Sequence, residues 1–149
     1  MSLTVCYGQT IAPIHAEHTT KVGKTIRGSF QIQNNNVTPE PLTLDSSELS
    51  LDSNGTPHYG PLRSTTRVIL SQTSGRLGPK EIRQIDYKIS CDVLPCAVAI
   101  ASAFTVGKTV DGIQVRLVLP FSVYLGTSKH PRVEALHAAG LDTKVVAKQ

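Results

Sequence analysis

Turn-forming residues divide this chain into short segments in which apolar and polar side chains alternate. Residues 25–33, TIRGSFQIQ, place Ile26, Phe30 and Ile32 on one side and polar residues on the other, which is the two-residue period of a half-buried strand. Strand-like segments recur at 41–46, 48–52, 66–72 and 82–90, roughly every dozen residues, and no helical period separates them. This pattern predicts an all-β fold.

The composition agrees with a turn-rich β protein of one domain. The chain has 149 residues, enough for a single domain with its own hydrophobic core. It contains eleven Gly and nine Pro but no Trp and only one Met, a composition that favours strands and turns over a helical core. We therefore expect an immunoglobulin-like β-sandwich of about seven strands.

Three regions are expected along the chain: an N-terminal arm at 1–10, the sandwich at 11–126, and a C-terminal helix and tail at 127–149. The first segment of the sandwich, 11–19, contains Pro13, which predicts a ragged strand at a sheet edge. The predicted helix has Pro131 at its first position and Gly140 as its stop signal.

Two apolar segments dominate the second half of the chain. Residues 96–105, CAVAIASAFT, form a nearly continuous apolar run that is typical of a central strand buried on both faces. Residues 111–126, DGIQVRLVLPFSVYLG, then alternate, so that one side of the predicted strand carries Ile113, Val115, Leu117 and Leu119. Pro120 interrupts the pattern, which favours an edge position, a bulge or a switch between sheets. The strand either completes the core of this protein or offers an edge to another protein.

Three segments carry a resemblance to a known family: KVGKTIRGSFQIQNNN, SGRLGPKEIRQIDYKI and GIQVRLVLPFSVYLG. Together they make residues 11–126 similar to the first domain of the PapD-like periplasmic chaperones of chaperone-usher pili, an immunoglobulin-like sandwich. The resemblance implies that the last strand is lent to a pilin subunit, with Ile113, Val115, Leu117 and Leu119 as the lending residues. It also implies basic residues that anchor the carboxylate of the subunit, for which Lys21, Arg27 and Arg116 are the nearest candidates.

The motifs that could carry catalysis or bind a cofactor fail on their context. VGKT occurs at 22–25 and at 106–109, but the upstream glycine of a phosphate-binding loop is missing in both cases. His15 and His18 would lie on opposite faces of a strand, and no set of ligands for a metal accompanies them. No Ser or Cys lies in a recognised nucleophile motif. We expect a protein without enzymatic activity, cofactor, metal or small-molecule substrate.

Cys91 and Cys96 bracket the residues DVLP, and two states are open for them. They form either a disulfide across a short loop, which would indicate an oxidising compartment, or two buried free thiols at the ends of adjoining strands. The N-terminus MSLTVCYGQT lacks the pattern of a signal peptide, so a periplasmic or secreted location requires a presequence that has been removed. No apolar run is long enough to predict a membrane span.

Three function classes are open on the sequence, of which a hydrolase or a lectin-like enzyme or binder has no positive support, and two functions have such support. The chain is either a protein–protein interaction domain that resembles a pilus chaperone and binds through an exposed edge strand, or a structural subunit of a viral, phage or pilus assembly. Its partners would be other protein subunits, bound by strand addition or by self-assembly. Binding of nucleic acid has little support, because the net charge of +4 is dispersed and only 5% of the residues are aromatic.

Overall fold

The computed structural model describes residues 9–110 and 113–140, and for 105–110 and 113–115 it describes the backbone only. Ten strands and one helix lie within these residues. They are β1 (Gln9–Ala12), β2 (His15–Thr19), β3 (Ile26–Asn34), β4 (Glu40–Leu51), β5 (Pro57–Gly60), β6 (Thr66–Leu70), β7 (Ser74–Leu77), β8 (Ile82–Cys91), β9 (Cys96–Val110), β10 (Ile113–Gly126) and α1 (Pro131–Ala138).

The strands form two sheets that face each other. The four-stranded sheet has the order β1-β3-β8-β6, and the six-stranded sheet has the order β2-β10-β9-β4-β5, with β7 also paired to β4. The core between them is built from the inward side chains of both sheets, the largest of which are Tyr87, Phe30, Phe104 and Phe121. The predicted all-β immunoglobulin-like sandwich is confirmed, with more strands than the expected seven.

The N-terminal part of the sandwich crosses from one sheet to the other. The sequence predicts one ragged strand over 11–19, whereas the structure has β1 in the four-stranded sheet and β2 in the six-stranded sheet. Pro13 lies between them, at a cis peptide bond with Ala12. Because proline has no N–H to donate to a ladder, the strand is interrupted there and can change partner. β1 starts at Gln9, inside the predicted arm, and residues 1–8 lie outside the described residues.

The other differences lie around β4. The predicted strands 41–46 and 48–52 are a single strand. The segments 53–64 and 73–81, where the sequence predicts no strand, each contain a short strand, β5 and β7, paired to β4. These two short strands are defined by their hydrogen bonds to β4, which a local pattern of side chains does not encode.

The C-terminal helix starts at Pro131 as predicted, and Gly140 follows it with a φ of +87°. Leu136 is buried, and Ala135 packs on the outer face of the six-stranded sheet against Leu49 and Tyr124. No helix within 9–110 and 113–140 has the length and apolar character needed to cross a membrane. The predicted tail beyond residue 140 lies outside the described residues.

Candidate partner-binding edge of the last strand

β10 is paired along both of its sides only in its second half. On one side it runs antiparallel to β9, from the pair Ile113 and Val110 to the pair Leu125 and Cys96. On the other side β2 pairs with it in parallel, but only at Ser122–Gly126. Among the described residues, no strand pairs with the second side of 113–121. We call this stretch the free edge.

The free edge ends at a defined point. The backbone N–H of Ser122 donates to the carbonyl oxygen of Ile14 at 3.2 Å, and β2 begins at the next residue. The side chain of Ile14 is 67% exposed beside this junction. The register with β9 runs unbroken through Pro120, and a shift occurs between Ile113 and Val115. The sequence left three positions open for Pro120: a sheet edge, a bulge or a switch between sheets. The structure shows the first, since Pro120 lies on the unpaired side of β10 without a bulge.

The side chains of β10 alternate between the core and the outer face. Leu117 and Leu119 are partly buried against the core, and Phe121 behind them is fully buried. Val118 points outward and is 49% exposed. Ile113 and Val115 belong to β10 by their backbone pairing, while their side chains lie outside the described part of the structure. Two of the four predicted apolar contact residues thus reach the core from a strand with an open side.

The basic residues suggested for anchoring a carboxylate lie on separate surfaces. Arg116 is on the outer face of the six-stranded sheet, where its Nη2 donates to Thr43 Oγ1 at 3.3 Å. Arg27 is exposed on β3, in the opposite sheet. Lys21 lies beside Thr127, at the end of the sandwich where β10 finishes. The structure does not bring these three cations together, because they belong to different sheets or opposite ends of the sandwich.

An apolar depression adjoins the free edge on the outer face of the six-stranded sheet. It has a volume of about 310 Å³ and is lined by Ser47, Tyr59, Ala99, Ala101, Val118 and Pro120. The depression forms because the small side chains of Ala99 and Ala101 on β9 lie between larger side chains of β5 and β10. The depression gives the outward residues of the free edge an apolar surround.

A contact that the sequence did not reveal links β2 to the opposite sheet. His18 Nε2 on β2 lies 2.9 Å from the Oη atom of Tyr87, which belongs to β8 in the opposite sheet. Burial lowers the pKa of His18 and raises the pKa of Tyr87 to about 12, because each charged form would lose its hydration. The Tyr87 ring also lies 5.7 Å from the ring of Phe121, centroid to centroid. The pattern of alternation placed His18 and His15 on opposite faces, but it carried no signal for this partner.

The cysteine pair lies at the end of the sandwich away from the free edge. Cys91 and Cys96 end β8 and begin β9, their Cα atoms are 6.5 Å apart, and the structure joins their sulfur atoms in a disulfide. Cys6 lies outside the described residues. Across 9–110 and 113–140, no three His, Cys, Asp or Glu side chains are grouped so as to hold a metal ion.

The chain matches no protein-family model and no curated protein. Solved structures are similar to it in fold. A PapD-like domain of human CEP192 (PapD-like domain 7) is 16% identical with a TM-score of 0.55, and the match covers 82% of this chain and 86% of that one. The class 5 fimbriae chaperone CfaA is 7% identical with a TM-score of 0.59, over 81% of this chain and 57% of the chaperone.

A third similar structure is the CsuC–CsuE chaperone–tip adhesion subunit pre-assembly complex of archaic Csu pili from Acinetobacter baumannii. Its identity is 14% and its TM-score 0.53, over 95% of this chain and 66% of the matched chain. This chain therefore spans a little more than half to two thirds of these two pilus-related chains. The chain has the PapD-like immunoglobulin fold that pilus chaperones and other PapD-like domains share.

Proposed function

We propose that this chain is a non-enzymatic protein–protein interaction domain that resembles a pilus chaperone and binds an extended segment of a partner along the free edge. The observation that carries the proposal is the difference in length between the two neighbours of β10. β9 pairs with the strand from Ile113 to Leu125, whereas β2 covers only Ser122–Gly126. The uncovered stretch leaves room for another strand.

The backbone of the free edge would supply the affinity. A strand edge presents unpaired N–H and C=O groups, and a partner in extended conformation satisfies them as the next strand of the sheet. The added strand would lie about 4.8 Å from β10 and end at Ile14, where β2 already occupies the edge. We therefore expect the partner to contribute a single extended segment that has no proline at its hydrogen-bonding positions.

Alternate side chains would supply the specificity. Leu117 and Leu119 are only partly buried, and an apolar side chain on the inner face of the added strand would cover them. In the sequence Ile113 and Val115 continue the same alternation, so we include them in the proposed contact. Arg116, on the outer face beside Thr43, would contact an acidic side chain of the partner.

Two further observations support this class of function. The Csu structure is described as a complex of a chaperone with a subunit, which provides a precedent for a protein partner on this fold. The disulfide between Cys91 and Cys96 fits an oxidising compartment, so we propose a periplasmic or secreted location.

The experiment measures the molar mass by light scattering over a range of concentrations, followed by titration with a nine-residue peptide of alternating valine and threonine. For a binding module, we expect a monomer in which the peptide shifts the backbone amide signals of 116–119 and 121 in NMR spectra. Leu117→Asp should abolish these shifts. Val118→Asp, which places the same charge on the outward side of the neighbouring position, should retain most of them.

Two outcomes oppose the proposal. A defined large oligomer that survives Leu117→Asp would favour the structural subunit of an assembly. A monomer in which the amides of 116–119 and 121 do not respond to the peptide, with and without reductant, would show that the free edge does not accept strands.

A further inference from the structure

A second surface with a distinct chemistry lies on the outer face of the four-stranded sheet. The register places Arg27 of β3 directly opposite Lys88 of β8, and Lys88 directly opposite Ile69 of β6. All three side chains are exposed, so they form one row across three strands. The next row contains Arg67 opposite Ser90, with Thr25 beside them.

These six residues line one open depression, which we call the basic patch. It has a volume of about 300 Å³ and consists of Thr25, Arg27, Arg67, Ile69, Lys88 and Ser90. The row from Ile69 to Arg27 spans two strand spacings, or about 10 Å, which is the length of about three residues of an extended peptide.

The two central cations, Arg27 and Lys88, lie directly opposite each other. Side chains directly opposite each other in an antiparallel pair have Cβ atoms about 5 Å apart, and like charges at that distance destabilise the sheet. Neither Arg27 nor Lys88 takes part in an ion pair within the described residues, where the four ion pairs involve other cations. The folded protein thus maintains an unfavourable charge pair that a bound anion would relieve.

Two other charged groups of this face, Arg67 and Asp86, have hydrogen-bond partners. The Arg67 guanidinium donates to both carboxylate oxygens of Asp92, at 2.8 and 3.1 Å, and to Ser90 Oγ at 3.0 Å. Asp86, two residues along β8 from Lys88, accepts a hydrogen bond from Gln84 Nε2 at 2.8 Å. Arg67 is thus paired with its own carboxylate. Asp86 keeps its negative charge, because the Gln84 amide is neutral. The cations of this face that are left to bind an anion are Arg27 and Lys88.

We propose that the basic patch binds an acidic segment of a partner protein, with a carboxylate held between Arg27 and Lys88 and a neighbouring apolar side chain on Ile69. A guanidinium binds a carboxylate through two parallel hydrogen bonds, and the ammonium of Lys88 adds a second charge. Ile69 is 64% exposed, which is an apolar surface that a small inorganic anion would leave uncovered. The lining has no aromatic ring on which a nucleic-acid base could stack.

The basic patch and the free edge lie on different sheets, so this inference does not depend on the proposed strand addition. An acidic segment can occupy the outer face of the four-stranded sheet whether or not another strand is added to β10.

The test is an NMR titration of the ¹⁵N-labelled protein with the peptide Ac-EVEVE-NH₂. Parallel titrations use Ac-KVKVK-NH₂, sodium phosphate and an oligothymidylate. We expect the acidic peptide alone to shift the amide signals of 25–27, 67–69 and 88–90 in a saturable way. Lys88→Ser should raise its dissociation constant at least fivefold, whereas Lys129→Ser, an equal loss of charge at another exposed site, should change it less than twofold.

Several results would overturn the proposal. Equal weakening by Lys88→Ser and Lys129→Ser would show attraction by net charge alone. Equal or larger shifts of the same signals with phosphate would show a site for small anions, and with oligothymidylate a site for nucleic acid. The absence of saturable shifts with the acidic peptide would show that no such site exists. Leu117→Asp, which disables the free edge, should leave the binding of Ac-EVEVE-NH₂ unchanged.

Discussion

His18 Nε2 and Tyr87 Oη are 2.9 Å apart, and this hydrogen bond joins the two sheets of the sandwich. His18 belongs to β2, which pairs with β10, and Tyr87 belongs to β8 in the opposite sheet. The bond therefore holds the short strand that marks the end of the free edge. Its two partners titrate on opposite sides of neutral pH.

Acid should destabilise the protein through His18. Burial lowers the pKa of His18 below its ordinary value of 6.5, so the unfolded chain binds the proton more readily than the folded protein does. The contribution of His18 to the free energy of unfolding is complete above pH 6.5 and falls as the pH drops below that value. Urea unfolding midpoints should be measured above and below pH 6.5. As the pH falls, the midpoint should decrease more steeply for the wild type than for His18→Gln. Parallel pH dependences in the two proteins would contradict this account.

The Tyr87 hydroxyl should make the stability of the protein depend on pH in alkaline solution as well. Because burial raises the pKa of Tyr87 to about 12, the unfolded chain loses the phenolic proton first, near its ordinary value of 10. Stability should therefore fall as the pH rises through 10, and less so in Tyr87→Phe. Thermal unfolding by circular dichroism between about pH 8 and pH 11 measures the difference. A larger alkaline loss in Tyr87→Phe than in the wild type would exclude this role for the hydroxyl.

Gly28 tests how tightly the Tyr87 side chain packs over the strand next to its own, since β3 pairs Gly28 directly with Tyr87 of β8. A Cβ atom at residue 28 would collide with the hydroxyl group and ring of Tyr87, so Gly28→Ala should lower the free energy of unfolding by roughly 1–3 kcal/mol. Gly60→Ala is the matched control, since a Cβ there meets nothing within 4 Å. Chemical denaturation of both variants measures the effect. Equal stability of the two would show that Tyr87 can move aside without cost.

Ser102 provides a prediction in the opposite direction. Its side chain is fully buried on β9, and its hydroxyl has no hydrogen-bond partner within the described part of the chain. Ser102→Ala should leave stability unchanged or raise it by up to about 1 kcal/mol, because it removes a polar atom that the core does not satisfy. Ser90→Ala removes the hydroxyl that accepts from Arg67 Nε and should not stabilise. A loss above about 1 kcal/mol in Ser102→Ala would reveal a partner for that hydroxyl.

The disulfide can be checked by counting thiols. The chain has three cysteines, and with Cys91 and Cys96 joined, only Cys6 should react with Ellman's reagent in urea without reductant. The double variant Cys91→Ala/Cys96→Ala should lose about 2 kcal/mol of stability, as the small loop predicts. Addition of reductant should lower the stability of the wild type but leave the stability of the double variant unchanged. Three reactive thiols before reduction would show that the pair is free.

The sequence was sufficient for the features that depend on local alternation. The period of two in 25–33 put Phe30 on the apolar side of its strand, and that in 111–126 put Leu117 and Leu119 together on one side, because successive side chains of a strand point to opposite faces. In the structure Phe30 lies in the core, and Leu117 and Leu119 pack against it. Pro131 and Gly140 set the limits of the helix through backbone geometry that is local as well. Together with the turn residues, these signals were enough for an all-β sandwich.

The tertiary structure decided which strands meet, and with that the candidate sites. Alternation assigns a face to each residue but does not name the neighbouring strand, so the change of sheet at Pro13 and the half-covered edge of β10 did not follow from the sequence. The row of Ile69, Lys88 and Arg27 joins residues from three strands, and the bond of His18 to Tyr87 spans 69 positions. Such contacts depend on the packing of segments distant in the chain, where the burial of apolar surface selects the arrangement.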